Sequence, residues 1–279
     1  MRKLRVGIYG LGLIGGSLAK ALAKWQSEIT LLGYDRNRKR LNMALSEGTV
    51  TEVLKGTHYR DVDVVFLAIP VSRSRDVAKR IISKLEKEAI LTDCGSVKKP
   101  ICDALGHHTK GPFFVGGHPI AGTEKSGYES GFPGLFKNRV VFLTPHREIP
   151  KKKIGLVKHL WKLTGARVLE VDAEYHDHVF AFVSHLPHIV AYSLVHAVAT
   201  FDSKLPLGYS AGGFKDFTRI ASSDPDMWSE IMIENKREIV MAVRHFKKNL
   251  SELESLIKRE DSAGMKKYFK LSKRKRDSI

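Results

Sequence analysis

The stretch that decides the fold is Leu4-Arg-Val-Gly-Ile-Tyr-Gly10-Leu-Gly12-Leu-Ile-Gly15-Gly-Ser17. Its glycines follow the apolar run Leu4 to Tyr9 and open a helical pattern, and a second apolar run ends at Tyr34. Gly10 permits a tight turn, Gly12 lets the backbone approach a pyrophosphate, and Gly15 lets the helix pack closely on the strand. The N-terminus of that helix offers unpaired N–H groups to the anion. The pattern predicts a nucleotide-binding βαβ unit.

An acidic residue, Asp35, closes the second apolar run. A carboxylate at this position accepts hydrogen bonds from a ribose 2′-OH and repels a 2′-phosphate, so the predicted cofactor is NAD rather than NADP. The neighbouring Arg36 would tolerate some 2′-phosphate. The residues expected to line the cofactor site lie in the glycine turn and at strand ends: Gly10, Gly12, Leu13, Ile14, Gly15, Asp35, Arg36, Ile69, Pro70 and Gly95.

Apolar runs alternate with helical patterns through the first 171 residues, which indicates a parallel sheet covered by helices. Beyond Asp172 the strand patterns stop and a helical period of 3.6 residues continues. We therefore predict a Rossmann-type doubly wound α/β domain over 1–171 and an all-α substrate and dimerisation domain over 172–279. The predicted strands are 4–9, 29–34, 63–69, 89–93, 113–117, 140–145 and 167–171; the predicted helices are 13–25, 72–88, 98–105, 150–164, 173–200, 215–221 and a long one after Asp224-Pro225.

Composition narrows the class of protein. The 279 residues carry a net charge of +17, part of which lies in the basic C-terminal tail. A solvated basic surface that attracts anionic substrates is the favoured interpretation, and a basic nucleic-acid-binding protein is the alternative. Cys94 and Cys102 suggest reduced thiols in a cytoplasm. The N-terminal glycines argue against a signal peptide, and no run reaches about 18 uncharged apolar residues, so we expect a cytoplasmic protein with no nucleic-acid or membrane partner.

Polar residues follow two strands whose ends face the predicted cofactor. Asp93-Cys-Gly-Ser96 closes one strand, and Gly116-Gly-His118-Pro follows the next. The ordinary histidine pKa of about 6.5 suits removal of a hydroxyl proton at neutral pH. His118 is therefore a candidate general base, with Ser96 one strand away.

The helical half contains two further polar groups. His185 and His188 are spaced to share one helix face, either in a substrate pocket or as half of a metal site with His176, Asp177 or His178. We expect no metal, because hydride transfer to NAD needs none. In the second group, Arg219 offers a guanidinium fork that matches a substrate carboxylate, with Asp216 as its orienting partner.

Together these motifs resemble the prephenate dehydrogenase family. The resemblance covers residues 4 to 250 and rests on the glycine fingerprint, Asp93-Cys-Gly-Ser96-Val-Lys, Gly117-His118-Pro-Ile-Ala-Gly-Thr123-Glu124, Ser184-His-Leu-Pro-His188 and Gly213-Phe-Lys-Asp-Phe-Thr-Arg219 through Trp228. It implies oxidative decarboxylation of prephenate to 4-hydroxyphenylpyruvate and CO2 in tyrosine biosynthesis, with NAD as hydride acceptor, by a homodimer.

The resemblance also implies roles for individual residues. His118 would be the base, Ser96 its hydrogen-bonding partner, Arg219 the carboxylate clamp and His188 a contact of the substrate side chain. The other residues implied to line the substrate pocket are Ser184, Gly212, Asp216, Thr123 and Glu124, with Trp228 closing it. From the length of 279 residues we expect neither a mutase segment nor a regulatory domain, so any tyrosine inhibition is expected at the substrate site itself.

Two related reactions stay open on the sequence alone. The first is the dehydrogenation of arogenate, which gives tyrosine directly. Arogenate has an ammonium group where prephenate has a keto group, and Glu124 would pair with that ammonium. A β-hydroxyacid dehydrogenase would instead use a lysine of the helical half, such as Lys215 or Lys236. A basic protein that senses NAD as a ligand is a further alternative from another class.

Overall fold

The structure is a computed structural model that describes residues 2–55, 59–123, 125–201 and 210–278. Its first half is an eight-stranded sheet of order β3-β2-β1-β4-β5-β6-β7-β8. The strands are β1 (Leu4–Tyr9), β2 (Ile29–Tyr34), β3 (Glu52–Val53), β4 (Val64–Leu67), β5 (Ile90–Asp93), β6 (Phe113–Pro119), β7 (Val140–Pro145) and β8 (Arg167–Glu170). Strand order reverses between β1 and β4, which creates the crevice where doubly wound sheets bind ligands. The Rossmann-type fold predicted from the sequence is confirmed.

Helices cover both faces of this sheet because its strands are apolar on both sides. They are α1 (Leu13–Leu22), α2 (Arg38–Ser46), α3 (Val71–Ile82), α4 (Lys99–Leu105) and α5 (Lys151–Leu163). One face packs against α1 and α5 around Phe66, Phe136 and Trp161, whose rings meet edge to face. The opposite face packs against α3 and α4. Neither α2 nor β3 was predicted from the sequence.

One strand direction differs from the parallel sheet that the sequence predicted. β6 and β7 are antiparallel, with His118 opposite Phe142, whereas the other neighbouring strands are parallel. A parallel pair needs a crossover, usually a helix. The described residues of the connection, 120–123 and 125–139, form turns and no helix. The chain therefore returns alongside β6 in the opposite direction.

The second half is helical, as predicted. Its helices are α6 (Ala173–Phe180), α7 (Leu186–Phe201), α8 (Gly212–Thr218), α9 (Pro225–Glu234), α10 (Lys236–Lys258) and α11 (Ser262–Arg276). A π-helical turn, Ala181–His185, joins α6 to α7 without a break, and a 3-10 turn, Arg219–Ser222, follows α8. The division at 171/172 into two domains stays a prediction, although the last strand ends at Glu170.

The predicted single helix after Asp224-Pro225 is wrong in its length. Its start is as expected, because the Asp224 carboxylate accepts the backbone N–H of Met227 and Pro225 occupies the first turn. Asn235 then interrupts the helix with φ −107° and separates α9 from α10. The side-chain amide of Asn235 donates to the backbone oxygen of Asp177 at 2.9 Å. The break thus ties α9 and α10 to α6.

The continuous stretch Ala173–Phe201 is long and apolar enough to cross a membrane by length and composition, and 22% of its most apolar window is buried inside the chain. The sequence prediction concerned runs of apolar residues alone, whereas the part of this stretch from His178 to Phe201 has no Asp, Glu, Lys or Arg but includes uncharged polar side chains such as His188 and Tyr192. Core helices of water-soluble proteins also have this length and composition. Because His176, Asp177 and His185 are buried in this stretch, we interpret it as a domain helix.

The two halves meet where α6 and α9 pack on the sheet domain. The Asp177 carboxylate accepts the backbone N–H groups of Lys98 and Lys99 at 2.8 and 2.7 Å, so a residue of the helical half caps α4 of the sheet domain. Val97 packs with Trp228 and other apolar side chains of α9. These contacts set the crevice in which the candidate site lies.

Candidate active site

The glycine turn has the geometry of a dinucleotide cradle. Gly10 has φ +99°, and a Cβ atom on it would lie 2.3 Å from the carbonyl oxygen of Ala68. A Cβ on Gly15 would lie 1.8 Å from the carbonyl oxygen of Gly10, so helix and strand are in close contact there. Gly12 is the opposite case, because no atom lies within 4 Å of its Cβ position. The backbone at Gly12, which begins α1 without a side-chain cap, is open to an incoming pyrophosphate.

Asp35 lies beside this turn and is only 8% exposed. Its Oδ2 accepts the backbone N–H of Leu11 at 2.7 Å, and its Oδ1 accepts that of Asn37 at 2.7 Å. The carboxylate thereby fixes the turn to the end of β2. Carboxylate oxygens have further lone pairs, so Asp35 keeps acceptor capacity for ribose hydroxyls. Arg36 next to it is exposed.

The other predicted cofactor residues surround the same turn. Leu13 and Ile14 are half-buried in the first turn of α1. The Ile69 side chain would lie 2.7 Å from a Cβ on Gly10, so it packs against the turn. Pro70 is exposed at the start of α3, and Gly95 is buried in the loop after β5. The residues present fit a dinucleotide.

His118 ends the sheet side of the crevice and bonds to a histidine of the helical half. Its Nδ1 lies 2.8 Å from Nε2 of His176, and Nδ1 of His176 lies 2.8 Å from Oδ1 of Asp177. The Phe180 ring stacks on His176 and meets His118 edge to face. In the described part of the chain, the side-chain hydrogen bond of His118 uses Nδ1, and none uses its Nε2. The ring is therefore held on one side and free on the other.

Burial keeps these histidines neutral. Desolvation lowers the pKa of His118 well below its usual value, and the nearby His176 and Lys98 act in the same direction. Desolvation also lowers the pKa of His176, although its hydrogen bond to Asp177 opposes that change. A neutral histidine has one nitrogen that can accept a proton, which is the state that a general base requires.

Ser96, the second predicted catalytic residue, is half-buried in the loop after β5. That loop runs beside the end of β6, because the Asp93 carboxylate accepts the backbone N–H groups of both Gly95 and Gly117. The structure thus places Ser96 and His118 each one residue beyond a glycine that Asp93 holds. The described residues show no hydrogen bond between the two side chains, so the role of Ser96 stays a prediction.

His188 and Trp228 form the helical wall of the crevice. Their rings stack with centroids 3.6 Å apart, and Trp228 is 7% exposed. Nδ1 of His188 donates to the backbone oxygen of Ser184 at 3.0 Å, so Nε2 is the acceptor nitrogen of the neutral ring. The turn that contains Arg219 packs against α7, which carries His188. Desolvation lowers the pKa of His188, its hydrogen bond to the Ser184 backbone opposes that change, and the positive charge of Arg219 adds to it. The indole N–H of Trp228 has no partner among the described residues.

The remaining predicted pocket residues are less enclosed. Gly212 and Asp216 are exposed on α8, Arg219 is exposed in the turn after it, and Thr123 is exposed in the loop after β6. Glu124 lies outside the described residues. Their contacts with substrate stay predictions.

His185 is buried and hydrogen-bonded within the helical half. Its Nδ1 lies 3.2 Å from the side-chain amide of Asn235, and desolvation lowers its pKa to about 4. In the described ranges no cluster of three or more metal-ligating side chains occurs. The structure gives no support to the alternative of a metal site at His185 and His188.

The sequence did not predict that His176 and Asp177 are hydrogen-bonded to the base. The sequence analysis named His176 and Asp177 only as companions of a metal site. Their hydrogen bonds join them to residues far away in sequence, at His118 and at the start of α4. The one local signal was a histidine beside an aspartate at the start of the helical half.

A dinucleotide cradle and a neutral, oriented histidine at the crevice define the class of protein: a dehydrogenase that passes hydride to a nicotinamide cofactor. Family models narrow this class. Residues 18–170 match the nucleotide-binding domain of prephenate dehydrogenase, and residues 172–271 match its dimerization domain. The chain belongs to the prephenate dehydrogenase family. The predicted family, fold class and NAD cofactor are confirmed.

Curated relatives span almost the whole chain. A cyclohexadienyl dehydrogenase from Zymomonas mobilis is 36% identical over 277 residues, which is 97% of this chain and 94% of the relative. A prephenate dehydrogenase from Bacillus subtilis is 35% identical over 276 residues, which is 97% of this chain and 74% of the relative.

Solved structures agree with the fold. The prephenate dehydrogenase from Aquifex aeolicus, in complex with hydroxyphenyl propionate and NAD+, is 40% identical with a TM-score of 0.91, covering 100% of this chain and 99% of that one. The arogenate dehydrogenase of Synechocystis is 26% identical with a TM-score of 0.87, covering 99% of each chain.

Proposed function

We propose that this chain catalyses the oxidative decarboxylation of prephenate to 4-hydroxyphenylpyruvate and CO2, in tyrosine biosynthesis. Family membership makes it an NAD-dependent oxidoreductase. The single observation that carries the assignment of the base is the hydrogen-bonded chain from Asp177 through His176 to His118. It places a neutral histidine at the sheet end of the crevice.

The chain of hydrogen bonds determines which nitrogen of His118 is the base. The Asp177 carboxylate accepts, so Nδ1 of His176 carries the proton and its Nε2 is an acceptor. Nδ1 of His118 must then donate to that Nε2. Nε2 of His118 therefore carries the lone pair of the neutral ring, and no hydrogen bond of the described residues occupies it. This atom takes the proton of the ring hydroxyl.

The protein's other tasks are to orient the substrate and to hold its two carboxylates. NAD, when bound, would supply the acceptor for the hydride that leaves the carbon carrying the hydroxyl. Asp35 and the open backbone at Gly12 would hold the cofactor. Arg219 would clamp a carboxylate with its guanidinium fork, and His188 on Trp228 would contact the side chain. Aromatisation of the ring makes the reaction effectively irreversible.

Arogenate is the second candidate substrate. The observation that favours it is the similarity to a cyclohexadienyl dehydrogenase and an arogenate dehydrogenase. Discrimination would depend on whether an acid faces the amino group of the side chain, and Glu124 is the predicted one. We propose prephenate as the preferred substrate.

We further propose that the enzyme is a cytoplasmic homodimer, assembled through the region that matches the dimerization domain. Both cysteines are free thiols, in keeping with a reducing compartment. Tyrosine resembles the product and would compete at Arg219. Kinetics with prephenate that tyrosine leaves unchanged would contradict this mode of inhibition.

The test is a direct assay with each substrate. Purified enzyme is supplied with NAD and either prephenate or arogenate, and NADH formation is followed beside identification of the aromatic product. We expect 4-hydroxyphenylpyruvate from prephenate and a kcat/KM at least about tenfold lower for arogenate, the result for a pocket in which Glu124 does not reach the ammonium and leaves it desolvated and unpaired. A higher kcat/KM for arogenate would make tyrosine formation the principal activity.

A further inference from the structure

A fully buried ion pair lies behind the site. The side chains of Lys98 and Asp93 are 0% and 1% exposed, and the ammonium of Lys98 bonds to Oδ2 of Asp93. Asp93 is the last residue of β5, and Lys98 precedes α4. Neither side chain can reach a substrate directly. The reaction proposed above leaves this pair without a task.

The pair holds the backbone that precedes the base. Nζ of Lys98 donates to the carbonyl oxygen of Gly117 at 2.8 Å, and Oδ1 of Asp93 accepts the N–H of Gly117 at 3.0 Å. Both polar backbone groups of Gly117 are therefore bound by one ion pair. Gly117 directly precedes His118 in β6.

These bonds begin where the strand ladder stops. The last paired residues of β5 and β6 are Thr92 and Val115, so Gly117 lies beyond the β5–β6 ladder, while on its other side it is in register with Leu143 of β7. A Cβ on Gly117 would lie 2.6 Å from the carbonyl oxygen of Asp93, which shows how closely the two segments approach. The ion pair continues the connection between β5 and β6 by two residues, up to the base.

Holding backbone with buried charges is an expensive arrangement. Removing a carboxylate and an ammonium from water costs several kcal/mol per ion, and well-packed apolar residues of similar volume often stabilise a fold as well or better. An ion pair kept at this position is better explained by what it fixes than by stability. What it fixes is the position of one imidazole.

We propose that Asp93 and Lys98 are positioning residues for the general base, and that they act by fixing Gly117 so that His118 meets the substrate hydroxyl. The inference rests on the proposed function of His118. The pair supplies the sheet-side support of that ring, and His176 supplies its helix-side support. Misplacement of a reacting group by about 1 Å can cost 10²-fold in rate.

The experiment is a double-mutant cycle on the full-length enzyme. Lys98→Met removes the donor to Gly117 and keeps an unbranched side chain. We expect kcat with prephenate to fall about 10- to 100-fold, while the KM values for prephenate and NAD stay within about threefold. In a His118→Asn background the same change is expected to lower kcat less than about twofold, because the base that Lys98 positions is already absent.

The matched control is Lys158→Met, which removes an ion pair with Glu170 at the surface of the sheet domain. It is expected to leave kcat within about twofold. Bound NAD, measured by fluorescence titration, verifies that each variant is folded. If Lys98→Met fails to bind NAD, the same kinetic measurements are made on Lys98→Gln, whose side chain keeps a polar group.

The outcomes separate the two claims. An unchanged kcat in Lys98→Met, an equal loss in both backgrounds or an effect on KM alone would overturn the positioning role. Failure of both Lys98 variants to bind NAD would overturn it as well, because the pair would then serve the fold. A His118→Asn variant that turns over prephenate at the wild-type rate would instead contradict the proposed role of His118 as the base, on which the inference rests.

Discussion

At the scale of single residues, the chemistry depends on which nitrogen of His118 carries a proton. Three side chains decide this, because the Asp177 carboxylate sets the tautomer of His176 and His176 sets that of His118. Asp177 is itself fixed by two backbone N–H groups at the start of α4. The base is therefore defined by hydrogen bonds that begin in the other half of the molecule.

This dependence predicts a specific effect of His176→Asn. Nδ1 of His118 loses its aligned acceptor, so kcat with prephenate is expected to fall at least about 10²-fold while NAD affinity is kept. The matched control is His178→Asn, two residues away, where the histidine is exposed and bonds to Glu238. Steady-state kinetics of both variants decide the point: comparable kcat values would refute the role of His176.

Sequence patterns predicted part of this site and missed another part. His118 and Ser96 could be found because each follows a strand end, and strand ends of such a sheet face the ligand. The orienting role of His176 could not, since its partner is 58 residues away. Polar pairing between distant segments has no local periodicity from which to read it.

At the scale of elements, the turn between β1 and α1 is set by the space around each glycine. The motif predicted close contact at Gly15 and open backbone at Gly12, and the structure has both. A local motif of this kind is well predicted because its geometry depends on residues that are close together in the sequence. The direction of β7 and the break at Asn235 were not predicted, because they depend on the length of a connection and on one tertiary hydrogen bond.

Two glycine-to-alanine substitutions in helices are expected to change the free energy of unfolding in opposite directions, because the space around the two glycines differs. In Gly15→Ala the new methyl group meets the carbonyl of Gly10, so we expect a loss of about 1–3 kcal/mol of stability and weaker NAD binding. In Gly155→Ala, on the open side of α5, the new methyl group meets nothing within 4 Å. There helix propensity favours alanine by up to about 1 kcal/mol. Urea unfolding and NAD titration measure both effects, and equal stability of the two variants would contradict the account.

At the scale of the whole molecule, the active site exists only because the two halves meet. The sheet domain contributes the cradle, His118 and the buried ion pair, whereas the helical half contributes His176, Asp177 and the wall at His188. The sequence predicted both halves and the crevice between them. It did not predict the contacts across the crevice, which depend on three-dimensional docking of segments distant in the chain.

The central claim is that a neutral His118 removes the substrate's hydroxyl proton, and its most direct test is the pH dependence of kcat/KM for wild-type enzyme and His118→Asn. A base works when unprotonated, so activity falls as pH drops through its pKa. Burial lowers the pKa of His118, which places this fall below about pH 6.5. We expect the variant to lose at least about 10³-fold in kcat and to lose this pH dependence, while binding prephenate as before. A variant that keeps its turnover and the same acidic fall would contradict the assignment.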